Sequence, residues 1–138
     1  MTDRYSNLKT GTEISKEFFV IDKDQVNDYL KALDDSSEDK LLNLYTQFIP
    51  PMCIAALSLR GVIIKLKIPG GTIHTAQEIE FKNSAIVGEG LYCKANLILN
   101  SIRVDWRFLT IQMNVTDQNE KPIMLGKSSI MLPHYYND

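Results

Sequence analysis

One apolar segment limits how this chain can fold. The residues from Pro51 to Leu66 carry only two charges, at Arg60 and Lys65, and one hydroxyl, at Ser58. A helix that is apolar on nearly every side is buried, and Pro51 suits the first helical turn because its missing N–H costs nothing there. Spanning a bilayer takes about 20 apolar residues, so this segment is too short. We therefore expect a central helix over Pro51–Leu66 that other parts of the chain enclose.

Alternating strands are predicted after the helix. Thr72 to Phe81 has one face with Ile73, Thr75, Gln77, Ile79 and Phe81, and another with His74, Ala76, Glu78 and Glu80. Further alternation covers 91–99 and 108–115, and 123–132 predicts a last strand. Turn residues at 83–90, 100–101 and 117–121 make the connections short, as in hairpins. The alternation of apolar and polar residues indicates an antiparallel sheet.

The region before the helix predicts one strand and one helix. Glu13 to Ile21 is rich in β-forming residues, and Asp22 with Gln25 forms a capping-box pattern for a helix. An acidic polar loop over 34–40 follows, and 41–48 is ambiguous, with a single loose turn as our interpretation. Residues 1–10 are polar and predict a flexible tail. The whole of 1–138 then forms one α+β domain, with the helix on one face of the sheet.

Composition excludes several classes of function. The formal charge is −2 and basic residues are scattered, so neither nucleic acid nor an anionic membrane is an expected partner. The N-terminal residues have no apolar stretch typical of a secretory signal. Cys53 and Cys93 lack metal-type spacing and lie in apolar runs, which predicts reduced core residues. We expect a cytoplasmic protein without metal or cofactor.

Several short patterns occur together in an informative order. Pro50-Pro51 precedes the helix, His74, Gln77, Glu78 and Phe81 lie on the following strand, and Gly88-Glu89-Gly90-Leu91 forms a turn. In this order and spacing the chain resembles the N-terminal-type domain of the MaoC-like acyl-CoA dehydratases. The resemblance implies a hotdog fold, an antiparallel sheet wrapped around one long helix. It also implies an acyl-CoA as substrate or ligand, and a homo-oligomer or a hetero-oligomer with a second MaoC-like chain.

The family's catalytic motif is degenerate in this chain. Hydratases of the family carry Gly-Asp-x-Asn-Pro-x-His on the loop after the first helix, where Asp and His act as acid and base on the enoyl-CoA or 3-hydroxyacyl-CoA. Asp35 takes the place of the motif's Asp, but the Gly, Asn and Pro are missing and Lys40 stands in the His position. A lysine ammonium is a poor base near neutral pH. The chain is therefore either a hydratase-family subunit with an incomplete site or a non-catalytic acyl-CoA-binding partner.

Three residues remain candidates for acid–base chemistry. His74 is the internal histidine, and histidine changes charge near neutral pH, so it is the candidate base. Asp35 or Glu78 is the candidate acid or orienting partner, and the alternation places Glu78 on the same predicted face as His74. The alternatives are an interface histidine and a solvated acidic loop. Arg107, near a strand end, is a further candidate for holding a CoA phosphate.

A hotdog thioesterase is a less favoured interpretation. Such enzymes use a carboxylate on or beside the central helix, and Pro51–Leu66 contains no Asp or Glu.

Overall fold

Five antiparallel strands form one sheet in the order β1-β3-β4-β5-β2. The computed structural model describes residues 4–33 and 47–134. The elements are β1 (Glu13–Val20), α1 (Lys23–Ala32), α2 (Pro51–Ser58), α3 (Arg60–Leu66), β2 (Ile73–Phe81), β3 (Gly90–Arg103), β4 (Trp106–Asp117) and β5 (Pro122–Pro133). The predicted α+β class with a single antiparallel sheet is confirmed. The candidate Asp35, and Lys40 with it, lies outside the described residues.

One face of the sheet, here called the inner face, packs on the central helix. The thiol of Cys93 lies 3.6 Å from the carbonyl oxygen of Ser58 at the end of α2, which fixes the side on which the helix lies. Strands β3 and β4 bury alternate residues on this face: Leu91, Cys93, Ala95 and Leu97, and Leu109, Ile111, Met113 and Val115. The opposite face is called the outer face. Burial of these alternate side chains stabilises the packing of the sheet against the helix.

The central helix differs from the prediction in two ways. It is divided at Leu59 into α2 and α3. Its apolar residues are also not all enclosed, because Met52, Ile63 and Ile64 are 50%, 51% and 66% exposed. The sheet of a single chain covers only one side of the helix. The apolar composition that predicted full enclosure therefore leaves an uncovered apolar side in one subunit.

Helix α1 begins as its sequence predicts. The backbone N–H of Gln25 donates to Oδ1 of Asp22 at 2.8 Å, and the backbone N–H of Asp22 donates to Oε1 of the Gln25 side chain at 3.0 Å. Val26 and Leu30, four residues apart, are buried. The predicted capping box is confirmed.

The N-terminal segment is packed, contrary to the predicted flexible tail. Tyr5 is buried, and the side-chain amide of Asn100 donates to the carbonyls of Tyr5 and Leu8 at 2.9 Å each. The backbones of Gly11 and Thr12 also exchange hydrogen bonds with Leu97. The prediction of a flexible tail was wrong for Arg4 to Thr10, because it rested on polar composition, which does not reveal tertiary hydrogen bonds to distant residues.

The β3–β4 turn lies further along the chain than predicted. Asn100 and Ser101 were expected to form it, but β3 continues to Arg103 and the chain turns at Val104 and Asp105. Val104 adopts a φ of 55°, a conformation that is unusual for a β-branched residue. Asn100 instead uses its amide to hold the N-terminal segment, so its turn-like identity misled the prediction.

Candidate functional site

A β-bulge in the edge strand β2 separates two of the predicted site residues. The register with β5 shifts between His74 and Ala76. His74 lies opposite Ile130, on the inner face, whereas Glu78 lies opposite Lys127, on the outer face. The prediction that His74 and Glu78 share a face was therefore wrong. Simple alternation cannot reveal the extra residue that a bulge inserts.

Glu78 lies in a shallow groove on the outer face. The groove has a volume of about 290 Å³ and also contains Lys127, Thr110 and Ser129. The sheet lies between this groove and the helix, so Glu78 cannot contact His74 within one chain. Glu78 and His74 do not form an acid–base pair in a single subunit.

A small cavity lies at the start of the central helix. Its volume is about 230 Å³, and it is lined by Pro51 and Ile54 of α2 and by 81–85 at the end of β2. We call it the helix-start cavity. Lys82 is the titratable residue in its lining, and its ammonium pairs with the Glu80 carboxylate at 2.6 Å. The cavity combines an apolar wall with one cation.

The first turn of α2 lies beside this cavity, which Pro51 and Ile54 line. Pro50 makes no side-chain capping hydrogen bond, and Pro51 has no N–H. The amides of a helix start carry partial positive charge and bind anionic or polarised oxygens. The Met52 amide is therefore a candidate donor to a thioester carbonyl.

His74 lies far from the helix start within its own chain. It is near the opposite end of β2 from Phe81, seven residues away in the sequence. A strand rises about 3.3 Å per residue, so the two are ~23 Å apart. His74 and the helix-start cavity do not form one site in a single subunit.

Other reactive groups in the described ranges are engaged or protected. Burial raises the pKa of the Cys93 thiol to about 11 and also raises that of Cys53, so neither is an activated nucleophile. Both are free and buried, as predicted. Arg107 is buried, and its guanidinium donates to Oδ1 of Asn100 at 2.6 Å and to Ser6 Oγ at 3.3 Å. It does not present a phosphate-binding group, so that prediction was wrong.

Two features of the inner face and the helix start were missed from the sequence. Ser128 is fully buried on the inner face, opposite Gln77, and its hydroxyl has no hydrogen-bond partner in the part of the chain that the structure describes. Asn83 was interpreted only as a turn residue and Lys82 was not singled out, although both line the helix-start cavity. The polar run Lys127-Ser128-Ser129 between apolar residues of β5 was the available signal for the buried Ser128.

Within 4–33 and 47–134, no group of His, Cys, Asp and Glu side chains is arranged to hold a metal ion. No helix in these ranges is long and apolar enough to cross a membrane.

Comparisons with known proteins identify the architecture. No family model matches the sequence, and no curated protein matches it. The fold is similar to that of the (R)-hydratase from A. caviae involved in PHA biosynthesis, with a TM-score of 0.73 and 18% identity over 93% of this chain and 99% of that one. The chain has the hotdog fold.

Two further solved hotdog structures have the same likeness. The MaoC-like dehydratase from Rhodospirillum rubrum gives a TM-score of 0.73 at 13% identity, covering 95% of this chain and 97% of that one. The HadBC (3R-hydroxyacyl-ACP dehydratase) complex from Mycobacterium tuberculosis gives 0.70 at 14% identity, covering 88% and 96%. The predicted hotdog architecture and its resemblance to MaoC-like proteins are confirmed at the level of structure.

Proposed function

We propose that this chain is an acyl-thioester-binding subunit of a MaoC-like hydratase or dehydratase assembly. Its ligand is an enoyl-CoA or 3-hydroxyacyl-CoA, and its own acid–base site is incomplete. The hotdog fold shared with an (R)-hydratase and with dehydratases supports the reaction class. The observation that carries the incomplete site is the placement of His74 and Glu78 on opposite faces of the sheet.

The helix-start cavity is the proposed place for the thioester. The Met52 amide would donate to the thioester oxygen, where negative charge develops during addition or loss of water. Ile54 and Phe81 supply apolar surface for the first carbons of the acyl chain. Neither α2 nor α3 carries a carboxylate, which disfavours a thioesterase of the type that uses one on this helix.

Strand β2 is the proposed interface with a second hotdog chain. It is an edge strand, and of its nine residues only Ile79 is even partly buried. Exposed edges usually pair or are covered, and the uncovered apolar side of the helix, at Ile63 and Ile64, would be covered in the same assembly. The partner is a second copy or a second MaoC-like chain.

Antiparallel pairing of β2 would bring the two halves of a site together. His74 and Phe81 lie near opposite ends of β2, so a two-fold pairing sets the His74 end of one copy beside the Phe81 end of the other. His74 then lies beside the partner's helix-start cavity and is the candidate base for any residual hydration, while the motif histidine stays absent from both copies. Asp35 is the proposed acid or orienting group, because the outer-face position of Glu78 removes it from the helix-start cavity.

Binding of crotonyl-CoA tests this proposal. Calorimetric titration of the purified chain with crotonyl-CoA and with free CoA isolates the acyl contribution. Phe81→Ala removes apolar surface at the helix-start cavity and should weaken crotonyl-CoA binding about tenfold. Phe18→Ala is the matched control, because Phe18 is 57% exposed on the outer face at the other edge of the sheet.

Light scattering on each variant separates a loss of binding from a loss of assembly. The proposal expects Phe81→Ala to weaken the acyl part of the affinity and Phe18→Ala to leave it unchanged. Equal affinities for crotonyl-CoA and free CoA, or equal losses in the two variants, would contradict it.

A further inference from the structure

A second cavity lies at the opposite end of the central helix. It is open to solvent, its volume is about 720 Å³, and it is lined by the N-terminal segment, the start of β1 and the end of α3. Ligand pockets commonly measure about 300–1,000 Å³. A helix rises 1.5 Å per residue, so the length of α2 and α3 sets this cavity ~24 Å from the helix-start cavity. We call it the basic cavity, and it is separate from the proposed thioester site.

The walls of the basic cavity are fixed by tertiary hydrogen bonds. The Tyr5 hydroxyl donates to the carbonyl of Leu66 at 3.0 Å and lies 3.2 Å from that of Lys67. Asn100 holds the carbonyls of Tyr5 and Leu8 from the other side. The N-terminal segment is thereby attached both to the helix end and to β3. The cavity is formed by packed structure and not by a loose terminus.

The lining combines an apolar floor with a basic rim. Leu66 and Ile14 are buried core residues, and Leu8 packs against them. Three cations and one carboxylate also line the cavity, which gives a local charge of +2: Arg4, Lys65, Lys67 and Glu13. The chain as a whole carries −2. A positive concentration in a slightly acidic protein favours an anionic ligand.

The C-terminal end of α3 repels an anion less than a helix C-terminus usually does, because most of its carbonyl oxygens already accept hydrogen bonds. A helix C-terminus exposes carbonyl oxygens and carries partial negative charge. Here the Lys67 amide donates to the carbonyls of Ile63 and Ile64, and the Ile68 amide also donates to Ile63. The Tyr5 hydroxyl covers Leu66 and Lys67. Most of the terminal carbonyls are therefore occupied, and the cations determine the field at the rim.

Lys67 occupies a backbone position that favours glycine. Its φ and ψ are 50° and 55°, the left-handed conformation in which helices commonly end with Gly. A lysine there is conformationally unfavourable. Backbone preference alone would favour glycine at this position, whereas this chain places a lysine side chain at the rim of the cavity.

We propose that the basic cavity binds an amphiphilic anion, a carboxylate or phosphate head group attached to an apolar chain. The head group lies among Arg4, Lys65 and Lys67, and the chain lies on Leu8, Ile14 and Leu66. This site does not depend on the acyl-thioester site, because the two lie at opposite ends of the helix.

Methyl-resolved NMR titration of the full chain tests the proposal. Octanoate and octyl phosphate are the probes for the two head groups, and octanol is the neutral control of equal chain length. We expect saturable shifts of the Leu8, Ile14 and Leu66 methyls with the two anions and weaker binding of octanol. Shifts confined to Ile54 would instead report on the helix-start cavity. Which anion binds more tightly distinguishes a fatty acid from a phosphate-bearing ligand.

Charge variants supply predictions of both signs. Lys65→Gln and Lys67→Gly should each weaken octanoate binding about threefold, the size of one exposed ionic contact. Glu13→Gln should strengthen it by a similar factor. Lys67→Gly keeps the left-handed backbone accessible, so the fold should be retained or stabilised while affinity falls. Lys82→Gln, at the other end of the helix, is the matched control and should leave octanoate affinity unchanged.

Three results would overturn the inference. The first is an octanol affinity equal to that of both anions, which would make the rim charges irrelevant. The second is an octanoate affinity that Lys65→Gln and Lys67→Gly leave unchanged. The third is the absence of saturable shifts at Leu8, Ile14 and Leu66 with every probe, while those methyls show a folded spectrum.

Discussion

Replacing Ser128 by alanine should stabilise the protein. The side chain is completely buried, and its hydroxyl has no partner within the described residues. A buried polar group without a hydrogen bond costs about 1–3 kcal/mol in desolvation. Loss of the oxygen atom leaves a void of roughly 10 Å³, and cavity formation costs about 24 cal/mol per Å³, so ~0.2 kcal/mol is lost. We expect Ser128→Ala to raise the free energy of unfolding by about 1–3 kcal/mol.

Ser58→Ala is the matched control with the opposite expectation. Ser58 is also buried, but its hydroxyl donates to the carbonyl of Ile54 at 2.7 Å. Loss of a satisfied hydrogen bond costs about 1 kcal/mol, and alanine returns up to about 0.5 kcal/mol of helix propensity. The expected net loss is roughly 0.5 kcal/mol. The same chemical change should therefore have opposite signs at two buried serines.

Urea unfolding at a fixed protein concentration measures both variants. A fixed concentration is needed because association contributes to apparent stability, and unchanged m-values would show that the compactness of the folded and unfolded states is preserved. If Ser128→Ala destabilised the protein as much as Ser58→Ala or more, the Ser128 hydroxyl would have a hydrogen-bond partner. The reasoning from an unsatisfied inner-face hydroxyl would then be refuted.

Three further substitutions test the packing that supports the sites. Burial raises the pKa of the Cys93 thiol from 9.0 to about 11. The stability that the neutral thiol contributes should therefore be complete below pH 9 and fall by about 2–3 kcal/mol as the pH rises from 9 to 11, because the unfolded chain ionises first. Cys93→Ala should remove that part of the pH dependence in urea titrations. A Cβ at Gly61 would collide with the Glu17 side chain, so Gly61→Ala should be more favourable in a Glu17→Ala background by at least about 0.5 kcal/mol in a double-mutant cycle. Asn100→Ala should lower stability by about 2–3 kcal/mol, because it releases two carbonyls and the Arg107 guanidinium, and thermal unfolding that showed no loss would contradict the role assigned to Asn100.

Elements with a local cause were predictable from the sequence. The capping box of Asp22 and Gln25 and the alternation over 91–97 and 108–115 depend on nearest neighbours in the chain, and the structure has them where expected. The alternation predicted for β3 was wrong at Leu99, because a register shift after Leu97 turns Leu99 to the outer face. The helix start at Pro51 follows from the missing N–H of proline. These local features made the α+β class and the position of the central helix predictable.

Features that depend on distant contacts were not predictable. The bulge near His74 and the packing of Tyr5 leave no periodic signal, because each is determined by partners more than 50 residues away. The helix is also divided at Leu59, where the sequence has neither proline nor glycine that would predict a break. The structure places His74 and Glu78 on the predicted strand, but on opposite faces of the sheet and not on one face as predicted.

Hydration of crotonyl-CoA by the purified chain, present in excess over substrate, tests the central claim most directly. Acid–base residues commonly contribute about 10²–10⁴-fold to rate. We predict that the chain binds the thioester but hydrates it little or not at all alone, that any residual rate is lost in His74→Ala, and that a second MaoC-like chain with an intact Asp and His restores turnover. Rapid hydration by the lone chain would contradict the incomplete site, and its survival in both His74→Ala and Asp35→Ala would also contradict the assignment of these two residues.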